Sequence, residues 1–209
     1  MKKDIMLRWV FFFAGLAILG LGAALTIKGQ TFGVGSWDVL HVGMFRQLGL
    51  SIGLWSIIVG IVVIIVASIG LREFPRAGTF ANMIFVGLFI DFYNWLIPDP
   101  NTLFLQFITF VLGVFLLAVG SGTYISANLG AGPRDSLMLL IVKKTNLSIA
   151  VARTIMEVLV AVGGFLLGGP LGIGTVIIAF ALGPIIQITM KYSSYLLTRQ
   201  LQRVSVTEG

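Results

Sequence analysis

Two aspartates occupy the same place in two similar segments and are the first candidates for chemistry. Residues 33–40 read Gly-Val-Gly-Ser-Trp-Asp-Val-Leu, and residues 130–137, at an offset of 97, read Gly-Ala-Gly-Pro-Arg-Asp-Ser-Leu. Each aspartate lies in the first turn of a predicted short helix, where an acidic side chain offsets unpaired N–H groups. Asp38 and Asp135 are therefore either buried helix caps or a pair of carboxylates that face a central cavity. Such a pair at low dielectric would favour a cation, an amine or a proton-coupled neutral solute.

Three neighbouring residues extend this candidate binding site. His41 lies three residues after Asp38 on the same helix face, where a His–Asp relay would fit, although Met138 occupies the matching position of the second segment. A lone histidine can equally be a hydrogen-bonding residue at the membrane interface. Trp37 and Arg134 directly precede the two aspartates and complete the candidate set.

A further charged pair lies later in the chain. Arg153 and Glu157 are four residues apart, which places them on one helix face and favours an intrahelical ion pair. Ser56 and Gly60 occupy the matching positions in the first half of the chain. The pair could be buried and orient helix packing, or it could gate the cavity or hold an anionic group of a substrate.

The residue inventory argues against enzyme chemistry and against metal binding. The chain has no cysteine and one histidine, which excludes disulfides and thiolate metal sites and argues against a histidine-based one. It carries no nucleophile–base–acid set and no phosphate-binding loop, and its Gly-x-Gly run lacks the strand and third glycine of a dinucleotide fold. We therefore expect no enzyme activity, no metal and no cofactor.

Composition predicts that the elements which position these residues lie in lipid. Of 209 residues, 57% are hydrophobic and 11% are charged, and the mean hydropathy is +1.03, whereas about a quarter of the residues in a soluble domain are charged. We predict a single membrane domain over residues 1–209, with the lipid bilayer as its main partner and with homo-oligomers compatible with it. The net charge of +6 is spread over termini and loops, which argues against a nucleic-acid surface.

The apolar runs predict an all-α polytopic membrane protein with about six transmembrane helices. Six runs are long enough to cross a bilayer core of about 30 Å. They cover residues 7–27, 51–71, 77–97, 103–126, 147–167 and 172–196. Two further helical segments, residues 36–48 and 133–145, span roughly 20 Å each, which is too short to cross. These short helices are predicted either to enter the membrane as re-entrant helices or to lie flat at its surface.

The distribution of basic residues predicts the orientation of the spans. Six spans with both termini cytoplasmic place most lysines and arginines inside, in agreement with the positive-inside rule. The predicted cytoplasmic set is Lys2, Lys3, Arg8, Arg72, Arg76, Arg134, Lys143, Lys144, Lys191, Arg199 and Arg203. Lys28, Arg46 and the acidic turn at Asp99 would lie outside. Counting the two short helices as crossings would instead place Arg72 and Arg76 outside.

The two similar segments belong to a longer internal repeat. Other identical residues recur at an offset of 97 or, one step out of register, 96. They are Leu50, Ser51 and Ile52 with Leu147, Ser148 and Ile149, and Gly78, Thr79 and Gly87 with Gly174, Thr175 and Gly183. Each unit, residues 7–97 and 103–196, holds three predicted spans, and because three is odd the second unit is predicted to lie inverted. Inverted repeats recur in transporters, with binding sites near the membrane midplane.

Over most of its length the chain resembles the bacterial YczE/YitT/YyaS-like membrane proteins. The most specific parts of the resemblance are the Gly-x-Gly-x-x-Asp-x-Leu pattern of residues 33–40 and the Pro-Leu-Gly-Ile-Gly-Thr segment at residues 170–175. Several family members have proline after the second glycine; here Pro133 has that place in the second copy and Ser36 in the first. The resemblance implies a multi-pass protein of the bacterial cytoplasmic membrane, without an assigned activity.

The inverted repeat, the interrupted helices and the paired acids together favour a small-solute transporter or channel with its site at the repeat interface. Two alternatives are an accessory membrane protein that binds a partner without moving a solute, and a substrate-binding subunit of a multi-component transporter. The small size of the chain suits both alternatives, whereas the inverted repeat argues against the subunit.

Overall fold

The computed structural model describes residues 2–130 and 132–206, and all regular secondary structure in this part of the chain is helical. A 3-10 turn, Gln30–Phe32, follows the first of eight α-helices. These helices are α1 (Lys2–Lys28), α2 (Ser36–Leu48), α3 (Ile52–Leu71), α4 (Ala77–Leu96), α5 (Leu103–Ser126), α6 (Pro133–Thr145), α7 (Ile149–Leu166) and α8 (Ile173–Val206). Residues 1, 131 and 207–209 of the predicted domain, and the basic side chains of Lys2, Lys3 and Arg203, lie outside the description.

The helix boundaries agree with the predicted segments to within a few residues, except at both ends of the chain. The short helices α2 and α6 have the predicted bounds. α1 begins five residues before the predicted residue 7, and α8 continues through Pro184 to Val206, beyond the predicted residue 196. Both extensions contain many polar residues, so a hydropathy pattern does not indicate them. They are nevertheless helical because lysine, arginine, glutamine and leucine are good helix formers outside lipid as well.

Five helices in the described part of the chain are long and apolar enough to cross a membrane: α1, α3, α4, α5 and α8. Their outer faces expose large apolar side chains such as Ile69 and Phe180, which are 73% and 78% exposed. Lipid can cover such faces, whereas large apolar patches are rare on proteins in water. α7 has 18 residues, a length of about 27 Å. A crossing by α7, and with it the sixth span, stays a prediction.

An antiparallel contact between α1 and α5 forms the centre of the fold. A Cβ atom at Gly113 of α5 would lie 2.7 Å from the Thr26 nitrogen and 2.9 Å from the Gly22 oxygen of α1. Gly15 and Gly120 lie equally close to the opposite helix one or two turns away. Small residues let the two backbones approach to this distance, which is a common basis of helix packing in membranes.

The other helices form two groups around this contact. α4 packs on α1 and α8 packs on α5, so that α4, α1, α5 and α8 make one row. In the second group α2 packs against α7 and α3 against α6, around a buried cluster of Trp37, Val63 and Met156. α3 also packs on α4 and so connects the second group to the first.

Local backbone structure recurs at the sequence offset of 97. The Ser51 and Ser148 hydroxyls each accept a hydrogen bond from the third N–H group beyond them, at 3.1 and 3.3 Å, and so cap α3 and α7. Gly49 and Asn146 each end a short helix with a left-handed φ, of 72° and 57°. Asn146, with a ψ of 18°, is in the left-handed helical region that asparagine tolerates, whereas Gly49, with a ψ of −146°, has a backbone conformation that glycine adopts most readily.

Candidate functional site

Helix α2 places three of the predicted site residues in the interior. Trp37, Asp38 and His41 are 3%, 3% and 1% exposed. They lie in the first two turns of α2, which begins directly after Gly35. Ionisable groups at such depth need nearby partners, because removing them from water is costly.

Asp38 has two ionisable neighbours. Its Oδ1 atom lies 3.5 Å from His41 Nδ1 on the next turn and 3.8 Å from the Arg134 guanidinium at the start of α6. Arg134 also lies over the Trp37 ring, with Cζ 5.1 Å from the ring centroid, in a cation–π arrangement. The structure therefore brings Trp37, Asp38, His41 and Arg134 together where the two short helices begin. We refer to these four residues as the α2–α6 site.

Hydrogen-bonding capacity in the α2–α6 site is only partly used. Trp37 Nε1, Asp38 Oδ1 and His41 Nδ1 are buried and form no hydrogen bond with any described residue. The separations of 3.5 and 3.8 Å around Asp38 do not give hydrogen bonds of acceptable geometry. Buried polar atoms are paired in the large majority of cases, so three unpaired atoms within two helical turns are typical of a place that water, an ion or a ligand fills.

Asp135 belongs to a second polar group beside the first. The Tyr124 hydroxyl of α5 and the Asn82 amide of α4 lie near Asp135, because a Cβ atom at Gly132, directly before α6, would be 3.4 Å from the hydroxyl and 3.2 Å from the amide oxygen. Arg153 of α7 and Arg134 both act electrostatically on Asp135. The two predicted acids are therefore accompanied by two arginines, and Arg134 is common to both groups.

The predicted ion pair between Arg153 and Glu157 is wrong: the two side chains form no ion pair in the described part of the chain. Arg153 is exposed and acts on Asp135 instead, while Glu157 is partly buried elsewhere on α7. An intrahelical pair at this spacing stabilises a helix by only about 0.2–0.5 kcal/mol, and less when the base precedes the acid. Arg153 therefore lies near the Asp135 carboxylate of a neighbouring helix without an ion pair to either acid in the described part of the chain, and no described contact joins Glu157 to the site.

Tyr124 and Asn82 are site residues that the sequence did not single out. In the sequence, each of them is a polar side chain inside an apolar span. This pattern indicates a binding site only weakly, because polar residues also occur where spans reach the membrane interface. Asp91, a third acid inside a span, has a structural role instead. Its carboxylate accepts hydrogen bonds from the Ser51 hydroxyl and, at 2.8 Å, from the Gly53 N–H group, and so completes the cap of α3.

A cavity of about 500 Å³, lined by both polar and apolar side chains, opens where α4 ends. Its lining includes Lys28 and Asp99, which form an ion pair at 2.6 Å. The Asn94 side chain also lines it, with both amide atoms buried and without a hydrogen-bond partner among the described residues. Neither this cavity nor any other part of the described chain groups three or more histidine, cysteine, aspartate or glutamate side chains in a way that could hold a metal ion.

Comparison with known proteins identifies relatives along most of the chain. A model of a family of unknown function, DUF6198, matches residues 6–191. The uncharacterized membrane protein YczE of Bacillus subtilis (strain 168) is 42% identical over 203 residues, which cover 97% of this chain and 94% of that protein. An uncharacterized protein of Haemophilus influenzae (strain ATCC 51907 / DSM 11121 / KW20 / Rd) is 37% identical over 174 residues, which cover 82% of this chain and 78% of that protein.

A more distant relative is the uncharacterized protein YyaS of Bacillus subtilis, which is 28% identical over 189 residues, or 88% of this chain and 92% of that protein. No solved structure matches the chain significantly. The resemblance to YczE and YyaS that the Gly-x-Gly-x-x-Asp-x-Leu pattern indicates is thus confirmed along nearly the whole sequence. The chain belongs to the DUF6198 family and is similar to the membrane protein YczE.

Proposed function

We propose that this protein transports a small solute across the bacterial cytoplasmic membrane, through a central site at the interface of two inverted repeats. The observation that carries the proposal has two parts: the two copies of the repeat exchange contacts reciprocally, and the packing within one copy differs from the packing within the other. Reciprocal exchange is what a two-fold axis in the membrane plane produces. Different packing within the two copies is what an alternating-access transporter has in any one of its states, and a permanently open channel would not need it.

The glycine-rich turns of the two copies exchange contacts. Gly33, with a φ of 99°, lies against Gly172 and Thr175 at the start of α8. Gly130, with a φ of 153°, lies against Thr79 at the start of α4. Because Thr79 and Thr175 are equivalent in the repeat, each turn packs on the third span of the other copy. This reciprocity supports a two-fold relation between the copies.

The short helices follow the same rule. α2 of the first copy packs against α7 of the second, and α6 of the second packs against α3 of the first. Each short helix therefore rests on the middle span of the other copy, and the α2–α6 site lies between them. Burial of seven of the thirteen residues of α2 favours a re-entrant α2 over a helix that lies flat on the surface, whereas Pro133 is the one fully buried residue described in α6.

One contact distinguishes the two copies. α3 packs closely on α4: Gly53 touches Gly87, and a Cβ atom at Gly60 would lie 3.7 Å from Met83 Cβ. In the second copy, α7 and α8 have no comparable contact among the described residues. Gly183, the equivalent of Gly87, has no neighbour within 4 Å of its Cβ position. We infer that the α3–α4 contact closes one side of the site, that the gap between α7 and α8 opens the other, and that the two exchange during transport.

The proposal includes six spans with both termini in the cytoplasm, and α7 as the sixth span. The N-terminal end of α7 and the C-terminal half of α8 then lie on the cytoplasmic side, so the gap between them opens toward the cytoplasm. A length of about 27 Å suits α7 for this role, because a bilayer core is about 30 Å thick and helices from about 17 residues can cross it.

Paired cysteines test the exchange directly, because the natural chain has no cysteine. Gly60→Cys with Met83→Cys should form a disulfide in the state described above, since the 3.7 Å separation lies within the usual Cβ–Cβ range of about 3.5–4.5 Å. The equivalent pair, Glu157→Cys with Ala179→Cys, should form one only in the opposite state, when α7 packs on α8. We expect both disulfides to form in membranes under oxidation, as detected by mass spectrometry of the linked peptides.

The matched control combines Gly60→Cys with Ala179→Cys, which share no contact in either state and should stay reduced. A Glu157–Ala179 pair that never forms a disulfide would show that the α7–α8 gap is permanent, and alternating access would then be wrong. In a protein that carries all four cysteines, the two disulfides should not form in the same molecule, since each belongs to a different state.

A partner-binding role without transport is the second candidate, and one observation favours it. Arg153 is exposed and Glu157 only partly buried on α7. Charged side chains at membrane depth are normally covered by protein or face a water-filled cavity. A partner protein or a second copy of the chain would cover them. In that case the Glu157→Cys and Ala179→Cys variants should cross-link between chains rather than within one.

A further inference from the structure

Opposite charges in the α2–α6 site face each other without making a hydrogen bond. The Asp38 carboxylate and the Arg134 guanidinium are 3.8 Å apart, whereas charge-assisted hydrogen bonds are about 2.7–2.9 Å long. Asp38 Oδ1 is buried and accepts no hydrogen bond from the described residues. An unpaired carboxylate oxygen is costly at this depth, so the position calls for a donor.

The neighbouring groups have the opposite requirement, because they offer donors without an acceptor. Trp37 Nε1 is buried and donates no hydrogen bond to any described residue. Arg134 lies over the same indole ring, and its side chain is 44% exposed, so guanidinium N–H groups are free to turn toward a ligand. The site therefore presents an acceptor at Asp38 and donors at Trp37 and Arg134 within a small volume.

The balance of charge restricts which solutes fit. Asp38 is matched by Arg134, so the α2–α6 site as a whole is neutral when His41 is neutral. A lone cation beside Asp38 would add an uncompensated positive charge next to Arg134. A lone anion would compete with Asp38 for Arg134 and would leave the buried Asp38 carboxylate without its counter-ion, which is strongly unfavourable. A solute that carries one charge of each sign keeps the balance.

We propose that the α2–α6 site binds a zwitterionic solute of the α-amino-acid type. Its ammonium group donates hydrogen bonds to Asp38 Oδ1 and His41 Nδ1. Its carboxylate accepts hydrogen bonds from Trp37 Nε1 and from the guanidinium N–H groups of Arg134. All three unpaired atoms then have partners, and arginine is well suited to bidentate binding of a carboxylate. This inference rests on the proposed transport function and names the substrate class of the same site.

Trp37 is a built-in reporter for the test. In the variant with Trp9→Phe, Trp55→Phe and Trp95→Phe, Trp37 is the only tryptophan of the chain. Its fluorescence is titrated in the purified full-length protein with each of the twenty standard amino acids. Ethylamine and propionate serve as probes that carry only one of the two charges. We expect a saturable change with at least one amino acid, and at least tenfold weaker binding of both single-charge probes.

Variants of the charged residues show whether binding occurs at this site. Asp38→Asn and Arg134→Gln should each weaken amino-acid binding by at least tenfold, whereas Lys144→Gln, on the same helix as Arg134, should leave it unchanged. Arg134→Lys keeps the positive charge but lacks the two parallel N–H donors of the guanidinium group, so this variant should bind with intermediate affinity. Melting temperatures identify variants that fail to fold, and calorimetric titration of the chain with all four tryptophans gives the same comparison if the triple variant does not fold.

Two results would overturn the proposal. The first is the lack of saturable binding of any amino acid by both fluorescence and calorimetry, which would leave water as the occupant of the unpaired positions. The second is binding of ethylamine or propionate as tight as that of the best amino acid. If binding fails while both cysteine pairs form their disulfides, the substrate class is wrong and alternating access stands. If an amino acid binds as expected while the Glu157–Ala179 disulfide never forms, the protein binds a zwitterion but does not transport it by alternating access.

Discussion

At the scale of the residue, Asp38 and Asp91 show how two acids inside apolar helices differ in role. Asp91 accepts hydrogen bonds from the Ser51 hydroxyl and the Gly53 N–H group, so both of its oxygens are used within the protein. Asp38 leaves Oδ1 without a hydrogen bond beside Arg134. An acid that is satisfied without a ligand stabilises the fold, whereas an acid that is not satisfied is available for binding.

Substitution of Asp91 should therefore lower stability without a change in solute binding. Asp91→Ala removes two hydrogen bonds at the start of α3, and we expect it to reduce the free energy of unfolding by about 1–3 kcal/mol. Thermal melting of the purified protein measures the effect. Gln187→Ala is the matched control, because Gln187 is the equivalent exposed residue of the second copy. Equal melting temperatures of the two variants would contradict the capping role.

At the scale of the element, glycine decides how closely the central helices pack. Gly22 and Gly113 let the α1 and α5 backbones approach each other, and a Cβ atom at Gly113 would collide with main-chain atoms that cannot rotate away. Gly163 of α7 has no neighbour within 4 Å of its Cβ position. Glycine thus has a packing role in α5 at Gly113, whereas the described contacts give Gly163 of α7 no packing role.

These two glycines give a matched pair of substitutions. Gly113→Ala should force α1 and α5 apart and destabilise the protein by about 1–3 kcal/mol, as over-packing typically does. Gly163→Ala should be neutral or slightly stabilising, because alanine has a higher helix propensity and meets no neighbour. Thermal melting separates the two cases. A Gly113→Ala variant as stable as Gly163→Ala would contradict the packing role of Gly113 in the α1–α5 contact.

At the scale of the whole molecule, the proposed mechanism depends on the orientation of the helices in the membrane. Asp99 follows α4 and Arg76 precedes it, and both side chains are exposed. With cytoplasmic termini, Asp99 lies outside and Arg76 inside. The α7–α8 gap opens toward the cytoplasm only in this orientation, so the direction of access in the proposed state depends on it.

Cysteine labelling of intact cells measures this orientation. A single Asp99→Cys variant should react with a membrane-impermeant maleimide added outside, whereas Arg76→Cys should react only after the membrane is made permeable. The natural chain without cysteine is the background control. Reversed labelling would contradict the positive-inside prediction, and labelling of both positions from one side would contradict a crossing by α4.

Sequence alone determined the local structure of this protein to a large extent. The bounds of α2 and α6, and the positions of the five long apolar helices, follow from apolar length and from the turn residues that flank them. This is because a helix in lipid must satisfy its backbone hydrogen bonds within the same segment, so its existence depends only on nearby residues. The offset of 97 also predicted that Ser51 and Ser148 occupy equivalent helix starts.

Only the tertiary structure decided which side chains meet. Arg153 lies near Asp135 rather than pairing with Glu157, and Tyr124 completes a polar group that no spacing in the sequence reveals. Likewise, the sequence repeat does not distinguish the packed α3–α4 contact from the gap between α7 and α8. The physical reason is that side-chain partners depend on how helices rotate and cross. In lipid, helix rotation and crossing depend on small differences in close packing rather than on hydrophobic burial. The sequence pattern shows hydrophobic burial most clearly, so it does not predict these side-chain partners.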